Sequence, residues 1–94
     1  MEFDWTHTPF EWEGSLSPQA VEETFEDAFA IRLLPDSPRF SVQARYFNLG
    51  RTSDGVGIFS VYRTNGKLVR VIAARAFTPE EQYFYQRKVN QSLG

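Results

Sequence analysis

The chain has 94 residues, of which 41% are hydrophobic and 16% aromatic, and its net charge is −2. Such a composition argues against disorder and predicts one domain over residues 1–94. The lack of cysteine excludes disulfides and thiolate metal sites, and no apolar run approaches the roughly 20 residues needed to cross a bilayer. The chain begins with acidic residues, the wrong sign for a secretory leader. We therefore expect a cytoplasmic protein without membrane contact.

The charges are divided unevenly along the chain. Residues 1–31 contain eight acidic residues and no Lys or Arg, whereas residues 32–94 contain all ten Lys and Arg and four acidic residues, a net charge of +6. One interpretation is intramolecular, with an acidic helix lying on a basic sheet. The other is that part of the basic surface is free to bind phosphate or an acidic partner.

The first third of the chain predicts a strand and helical segments. Apolar and polar residues alternate in "MEFDW", which is typical of a short strand. Residues 8–14 allow one or two helical turns, and Ser17-Pro18 starts a clearer helix. "AIRLL" then predicts a strand that ends at the turn "PDSP". The apolar stripe of the helix consists of Val21, Phe25, Ala28 and Phe29.

The remainder predicts three strands and a helix. The strands are expected over residues 44–49, 56–63 and 67–75, with a tight hairpin at Asn65-Gly66. Thr78 to Glu81 form a capping box that starts a helix over residues 79–90. The fold class is therefore α+β, a four- to five-stranded, mainly antiparallel sheet with N-terminal helical segments and a C-terminal helix. We expect the helices on one face of that sheet.

Most catalytic constellations lack parts in this sequence. His7 is the only histidine, so a histidine pair is excluded, and a histidine-based metal site or a Ser-His-Asp triad lacks parts. No cofactor is expected. Arg and Tyr of the basic half remain. Guanidinium groups bind phosphate and stay charged at any working pH, and tyrosines offer hydroxyls or stacking surfaces for bases.

Three arginines are the main candidates, and they have an alternative explanation. Arg51 follows a strand-ending glycine, Arg70 lies inside a strand and Arg75 lies at its end. The alternative, which composition alone favours, is that Arg70 and Arg75 form structural salt bridges with the acidic helix or with Glu81. They are also an odd number of residues apart, so a regular strand would point them to opposite faces. Only a bulge or the strand's end would bring both to one site.

Several pieces of the chain, in order, resemble the BrnT family of bacterial toxins. They are "RYFNLGRTSDG", "VYR" before a glycine turn, "RVIAAR" and "TPEEQYFY", with weaker likeness in "FDW" and "TFEDAFAIRLLPD". The likeness covers about three quarters of the chain, and Gly-Arg-Thr and Arg-x4-Arg are its most specific parts.

The resemblance implies a RelE-like fold and a toxin of a type II toxin–antitoxin system. Such a toxin cleaves mRNA and is neutralised by a BrnA-type antitoxin, and operator DNA is bound only through the antitoxin complex. Arg51, Arg70, Arg75 and Tyr85 match the positions expected for catalysis. The residues expected to bind the substrate are Tyr62, Arg63, Lys67 and Tyr83.

The N-terminal region departs from the family. Where the family has a longer helix ending in Lys-His-Gly, this chain has the acidic "THTPFEWEGS". The alternative is therefore a catalytically degenerate BrnT-like module that binds a partner protein through its sheet and last helix.

Overall fold

The computed structural model describes residues 2–6, 16–33 and 45–93. His7, the helical turns expected over residues 8–14 and the turn expected over residues 35–38 lie outside these ranges. The described elements are β1 Glu2–Phe3, α1 Pro18–Glu26, β2 Ile31–Leu33, β3 Tyr46–Arg51, β4 Gly57–Thr64, β5 Leu68–Ala76 and α2 Pro79–Leu93. Neither of these two helices is both long and apolar enough to span a lipid bilayer.

The five strands form one sheet in the order β1-β5-β4-β3-β2. Strands β2 to β5 pair antiparallel with their neighbours, and β1 adds a parallel edge beside β5, with Phe3 opposite Val69. The predicted α+β class, with a five-stranded and mainly antiparallel sheet, is confirmed at this level.

Local sequence signals account for the turns of the meander. Gly55 and Gly66 adopt φ angles of 86° and 95°, a region that favours glycine. In the second hairpin the Asn65 Oδ1 accepts the N–H groups of Lys67 and Leu68, both at 2.9 Å. Strand β3 does not end at Gly50 as expected but continues to Arg51, which pairs with Gly57 of β4.

Helix α1 starts where the sequence predicts and ends earlier. Ser17 is its N-cap, and its Oγ accepts the Ala20 N–H at 3.1 Å. Val21 and Phe25 are buried, but the helix ends at Glu26, so Ala28 and Phe29 of the predicted stripe lie in the following turn. Phe29 is consequently 37% exposed.

The capping box at the start of α2 is confirmed by two reciprocal hydrogen bonds. The Glu81 carboxylate accepts the Thr78 N–H at 2.8 Å, and the Thr78 hydroxyl accepts the Glu81 N–H at 3.2 Å. These bonds satisfy backbone donors that the first turn leaves open.

The two helices contact opposite faces of the sheet, so the expectation of helices on one face is wrong. Residues paired across strands share a face and successive residues alternate. Thr24 of α1 contacts Asn48 and Gly50, whereas Phe77 and α2 contact Gly57 and Arg51, which point the other way. After β5 the chain turns back, and α2 packs on the side of the sheet that faces away from α1. The sheet therefore lies between the two helices.

We call these surfaces the α1 face and the arginine face. The α1 face carries the main core, in which Phe25 packs edge to face with Phe3 and Tyr62. The buried residues of that core are Val21, Phe25, Ile58, Tyr62, Val69 and Val71. By strand register, the arginine face comprises Phe47, Leu49, Arg51, Gly57, Phe59, Val61, Arg63, Arg70, Ala73 and Arg75.

We predict that Gly50→Ala destabilises the fold by about 1–3 kcal/mol, the usual cost of overpacking. A Cβ at position 50 would collide with the backbone carbonyl of Thr24, which sits in α1 and cannot give way by rotating a side chain. The measurement is the free energy of unfolding in urea.

The matched control is Ala73→Ser, which also adds one heavy atom but at an exposed position of β5. Its effect should stay within about 0.5 kcal/mol. Equal stabilities of the two variants would contradict the close contact between α1 and β3.

Candidate functional site

A β-bulge in β5 determines which way its arginines point. Val61 pairs with Ala73 and Tyr62 pairs with Val71, so Ile72 is left without a partner on β4. The extra residue reverses the alternation along β5. Arg70 and Arg75, which a regular strand would separate, therefore share the arginine face.

The arginines of this face lie in two groups. Arg75 pairs with Phe59 and lies at the same end of the sheet as Arg51, whereas Arg70 pairs directly with Arg63 near the β4–β5 hairpin. Phe59 and Arg63 are four residues apart on β4, so the groups are separated by about 13 Å. The arginines share one face without forming one pocket.

Arg75 is held between a carboxylate and an aromatic ring. Its two terminal nitrogens donate to the Glu81 oxygens at 2.8 and 2.9 Å, and its guanidinium carbon lies 4.4 Å from the centre of the Phe59 ring. The hydrogen bond from Arg75 is the main reason that the pKa of Glu81 is lowered. The Arg75 side chain nevertheless remains 50% exposed.

Arg70 also has a carboxylate partner. Its Nη2 lies 2.8 Å from the Asp4 Oδ2, and its side chain is 58% exposed. The pKa of Asp4 is lowered, first by the Thr6 N–H and then by Arg70. This ion pair ties the residue after β1 to the neighbouring β5.

Arg51 belongs to a partly buried cluster where α1, β3 and α2 meet. Its guanidinium lies 4.7 Å from the centre of the Tyr85 ring and donates to the Gln86 Oε1 at 3.2 Å. The Asp27 carboxylate accepts the Arg51 backbone N–H at 2.8 Å and the Tyr85 hydroxyl at 2.5 Å. Arg51 Nε is buried and has no hydrogen-bond partner among the described residues.

The ionisation of this cluster follows from burial and from its hydrogen bonds. Burial, followed by the bond to Asp27, raises the pKa of Tyr85 to about 12. Burial opposes ionisation of Asp27 as well, but the bonds from Tyr85, Phe29 and Arg51 outweigh it, and the pKa of Asp27 is lowered. Tyr85 is therefore a neutral donor that positions Arg51 and Asp27, and it is 3% exposed.

The other residues predicted from sequence are dispersed. Tyr62 is 6% exposed on the α1 face, packed between Phe25 and Tyr46, and burial raises its pKa. Tyr83 lies on α2 and is 67% exposed. Arg63 and Lys67 are exposed at the β4–β5 hairpin. The structure thus brings Arg63 together with Arg70 and places Tyr62 on the opposite side of the sheet.

The acidic helix does not cover the arginines. α1 lies on the α1 face, and within the described residues none of its carboxylates forms an ion pair. Glu22 instead accepts the Trp5 indole N–H, and Glu23 accepts the Ser53 N–H and hydroxyl. The intramolecular explanation of the charge division is therefore wrong for α1, and of the first third only Asp4 forms an ion pair among the described residues. The expected salt bridge between Arg75 and Glu81 is present.

Sequence reasoning missed two features of this face. The first is the pair of stacked rings, Phe47 and Phe59, whose centres are 5.8 Å apart. The second is Arg45, because the register of β3 with β4, continued by one residue, sets it opposite Arg63. The alternation of "ARYFNLGR", which sets Arg45, Phe47 and Arg51 on one side, carried this signal.

Searches of protein-family models, of curated protein sequences and of solved structures gave no match for this chain.

We predict that Tyr85→Phe removes the alkaline dependence of stability that the cluster creates. The folded pKa of Tyr85, about 12, lies above its ordinary value of 10.0. Its contribution is therefore fully present below pH 10 and is lost as the pH rises to 12. Tyr85→Phe should cost about 2 kcal/mol at pH 7, and this cost should fall to a small fraction of that value by pH 12. The measurement is urea unfolding across this pH range.

Tyr83→Phe is the control, because it removes an exposed hydroxyl from the same helix. It should keep the stability profile of the parent protein. A constant difference between Tyr85→Phe and the parent protein from pH 7 to 12 would rule out the hydrogen bond to Asp27 as the source of the effect.

Proposed function

We propose that this protein is a BrnT-like toxin of a type II toxin–antitoxin system that acts on RNA through its arginine face. The observation that carries the proposal is the bulge at Ile72, which sets Arg70 and Arg75 on one exposed face. The bulge gives a reason for the Arg-x4-Arg spacing on which the resemblance to BrnT toxins chiefly rests. A BrnA-type antitoxin is the proposed neutralising partner.

The surroundings of the arginines suit a single-stranded nucleic acid. Phe47 and Phe59 are partly exposed on the arginine face, with Phe59 beside Arg75 and Phe47 nearer to Arg63. Aromatic side chains are surfaces on which bases stack. Cations beside such rings contact the phosphates. α1, with its uncompensated carboxylates, lies on the opposite side of the sheet and so does not repel an approaching phosphate at close range.

The proposed chemistry is transfer of the scissile phosphate to the neighbouring 2′-hydroxyl of the RNA. The 2′-hydroxyl gives its proton to water as its oxygen forms a bond to phosphorus, and negative charge accumulates on the phosphoryl oxygens. The bond from phosphorus to the 5′-oxygen breaks and that oxygen takes a proton from water, which leaves a 2′,3′-cyclic phosphate and a 5′-hydroxyl. Arg75 and Arg51, held by Glu81 and Tyr85, stabilise that charge. Arg75 retains two of its five N–H donors after its bonds to Glu81 and Ala76.

A second candidate function is a BrnT-like module that binds a partner protein without cleaving RNA. It is favoured by the two ion pairs, because Arg70 and Arg75 each already have a carboxylate partner. In this case Arg70 holds β5 to the residue after β1, and Arg75 holds β5 to α2. The partly exposed rings of the arginine face contact the partner.

Expression of the chain without an antitoxin distinguishes the two functions. We predict that it arrests bacterial growth and fragments mRNA, and that Arg75→Ala relieves both effects. The substitution removes an exposed ion pair, worth about 1 kcal/mol or less, so the variant should remain folded. Growth curves, total RNA integrity and the circular dichroism of the purified proteins are the measurements.

Arg87→Ala is the control, an equal loss of charge on α2, and it should leave the arrest unchanged. Normal growth and intact RNA in cells that contain abundant folded protein would overturn the toxin proposal and support the binding module.

We also predict that Glu81→Gln increases affinity for single-stranded RNA, since Glu81 competes with phosphate for Arg75. Glutamine keeps the capping box, so α2 should still start at the same place. Glu80→Gln, an equal change at the exposed neighbouring residue, is the control. Affinity would be measured by fluorescence anisotropy. Equal gains in the two variants would show that only net charge matters and that Arg75 does not contact the RNA.

A further inference from the structure

The β4–β5 hairpin borders an open cavity of about 320 Å³ on the arginine face. Leu68 and Ile72 supply its apolar part, and Arg63 and Arg70 its charge. The remaining lining residues are Thr64 and Asn65, at the start of the turn. This cavity lies about 13 Å along the sheet from Arg75, the residue to which cleavage is assigned above.

The two arginines of the cavity are direct partners across β4 and β5. Side chains at such positions have Cβ atoms about 5 Å apart, and like charges there are destabilising. Arg63 has no ion pair or hydrogen bond to its side chain among the described residues, and Asp4 takes only one N–H of Arg70. Arg45, exposed immediately before β3, adds a further cation at this end of the sheet. These arginines therefore carry positive charge that Asp4 only partly compensates.

The polar atoms of the cavity that remain unused are donors. The Thr64 hydroxyl oxygen accepts the Gly66 N–H at 3.0 Å, and the Asn65 Oδ1 accepts two further backbone N–H groups. The hairpin thus occupies both side-chain acceptors. The Asn65 amide protons and most guanidinium protons of Arg63 and Arg70 have no acceptor among the described residues. Such a set of donors fits an anion and does not fit a cation or a hydrogen-bond donor.

We propose that this cavity binds a phosphate group of the RNA strand, at least one nucleotide away from the phosphate at Arg75. The proposal rests on the function inferred above and adds a second contact to it. The planar guanidinium of Arg63 suits bidentate binding of phosphate oxygens, with Arg70 on the other side. A phosphate between the two arginines removes their mutual repulsion, and the distance to Arg75 allows one RNA strand to contact both sites.

The test is the salt dependence of binding to a single-stranded oligoribonucleotide, measured by fluorescence anisotropy for the parent protein, Arg63→Gln and Arg87→Gln. For single strands each phosphate contact contributes about 0.7 to the slope of log affinity against log salt concentration. Arg63→Gln should reduce the magnitude of the slope by about 0.7, so that the affinity gained on each tenfold dilution of salt is about fivefold smaller than for the parent protein. Arg87→Gln makes the same change of charge on α2 and should keep the slope of the parent protein.

Inorganic phosphate, titrated into the 15N-labelled protein, provides the second arm. It should shift the Nε–H resonances of Arg63 and Arg70 and the Asn65 side-chain amide in the parent protein. In Arg63→Gln these shifts should be lost. Because Arg63 is exposed, an unchanged spectrum elsewhere would show that the variant is folded.

The outcomes separate this site from the function on which it rests. The parent protein could bind RNA with the same slope as Arg63→Gln, or Arg63→Gln and Arg87→Gln could lose slope equally. Either result overturns the phosphate site and leaves the toxin proposal intact. Failure of the parent protein to bind RNA at any salt concentration overturns both. A loss of slope confined to Arg63→Gln, together with phosphate shifts at the cavity, supports the site.

Discussion

The Asp27 carboxylate is the point at which three elements of the fold are joined. It lies at the end of α1, accepts the backbone N–H of Arg51 from β3 and accepts the hydroxyl of Tyr85 from α2. Because α1 and α2 lie on opposite sides of the sheet, this carboxylate connects the end of α1 to α2 beside β3. The orientation of α2, and with it the positions of Gln86 and Glu81 beside the arginines, depends on this partly buried carboxylate.

The sheet separates the charges that the sequence divides along the chain. The carboxylates of α1 are used for hydrogen bonds to Trp5 and Ser53 on one side, and the guanidinium groups of β4 and β5 lie on the other. The apolar interior of the sheet weakens the attraction between these opposite charges less than water does. The strands nevertheless keep the carboxylates of α1 from direct contact with the guanidinium groups of β4 and β5. The arginine face is consequently cationic even though the whole chain has a net charge of −2.

Much of the fold follows from local sequence signals. The N-cap at Ser17, the Asn65-Gly66 hairpin and the capping box at Thr78 each act within a few residues, so the elements they bound were predicted nearly in full. The placement of α2 was predicted incorrectly. It depends on contacts between Tyr85 and Asp27, 58 residues apart, and no local pattern reports such a contact.

The candidate site was predictable as a set of residue types but not as an arrangement. Arg51, Arg70 and Arg75 were identified from their chemistry. Because Arg70 and Arg75 are an odd number of residues apart, the sequence also indicated that only a bulge or the strand's end would bring both to one side. The bulge lies at Ile72 because Val71 pairs with Tyr62 on the α1 face and Ala73 pairs with Val61 on the arginine face. The strand propensities of the residues do not encode this choice of side. The separate positions of Tyr62 and Arg51 could not be predicted for the same reason, because the burial of a strand residue depends on the side of the sheet to which it points.

The bulge at Ile72 makes the direction of Arg75 depend on the pairing of β5 with β4 as well as on residue spacing. If β5 kept its length but paired regularly with β4, every residue after Val71 would move by one position, and Arg75 would lie opposite Ile58 on the α1 face in place of Ala76. Loss of one residue at the bulge would instead give a regular strand in which both arginines, then an even number of residues apart, stay on the arginine face. A slip of the pairing would therefore remove a cation from this face without changing any residue type.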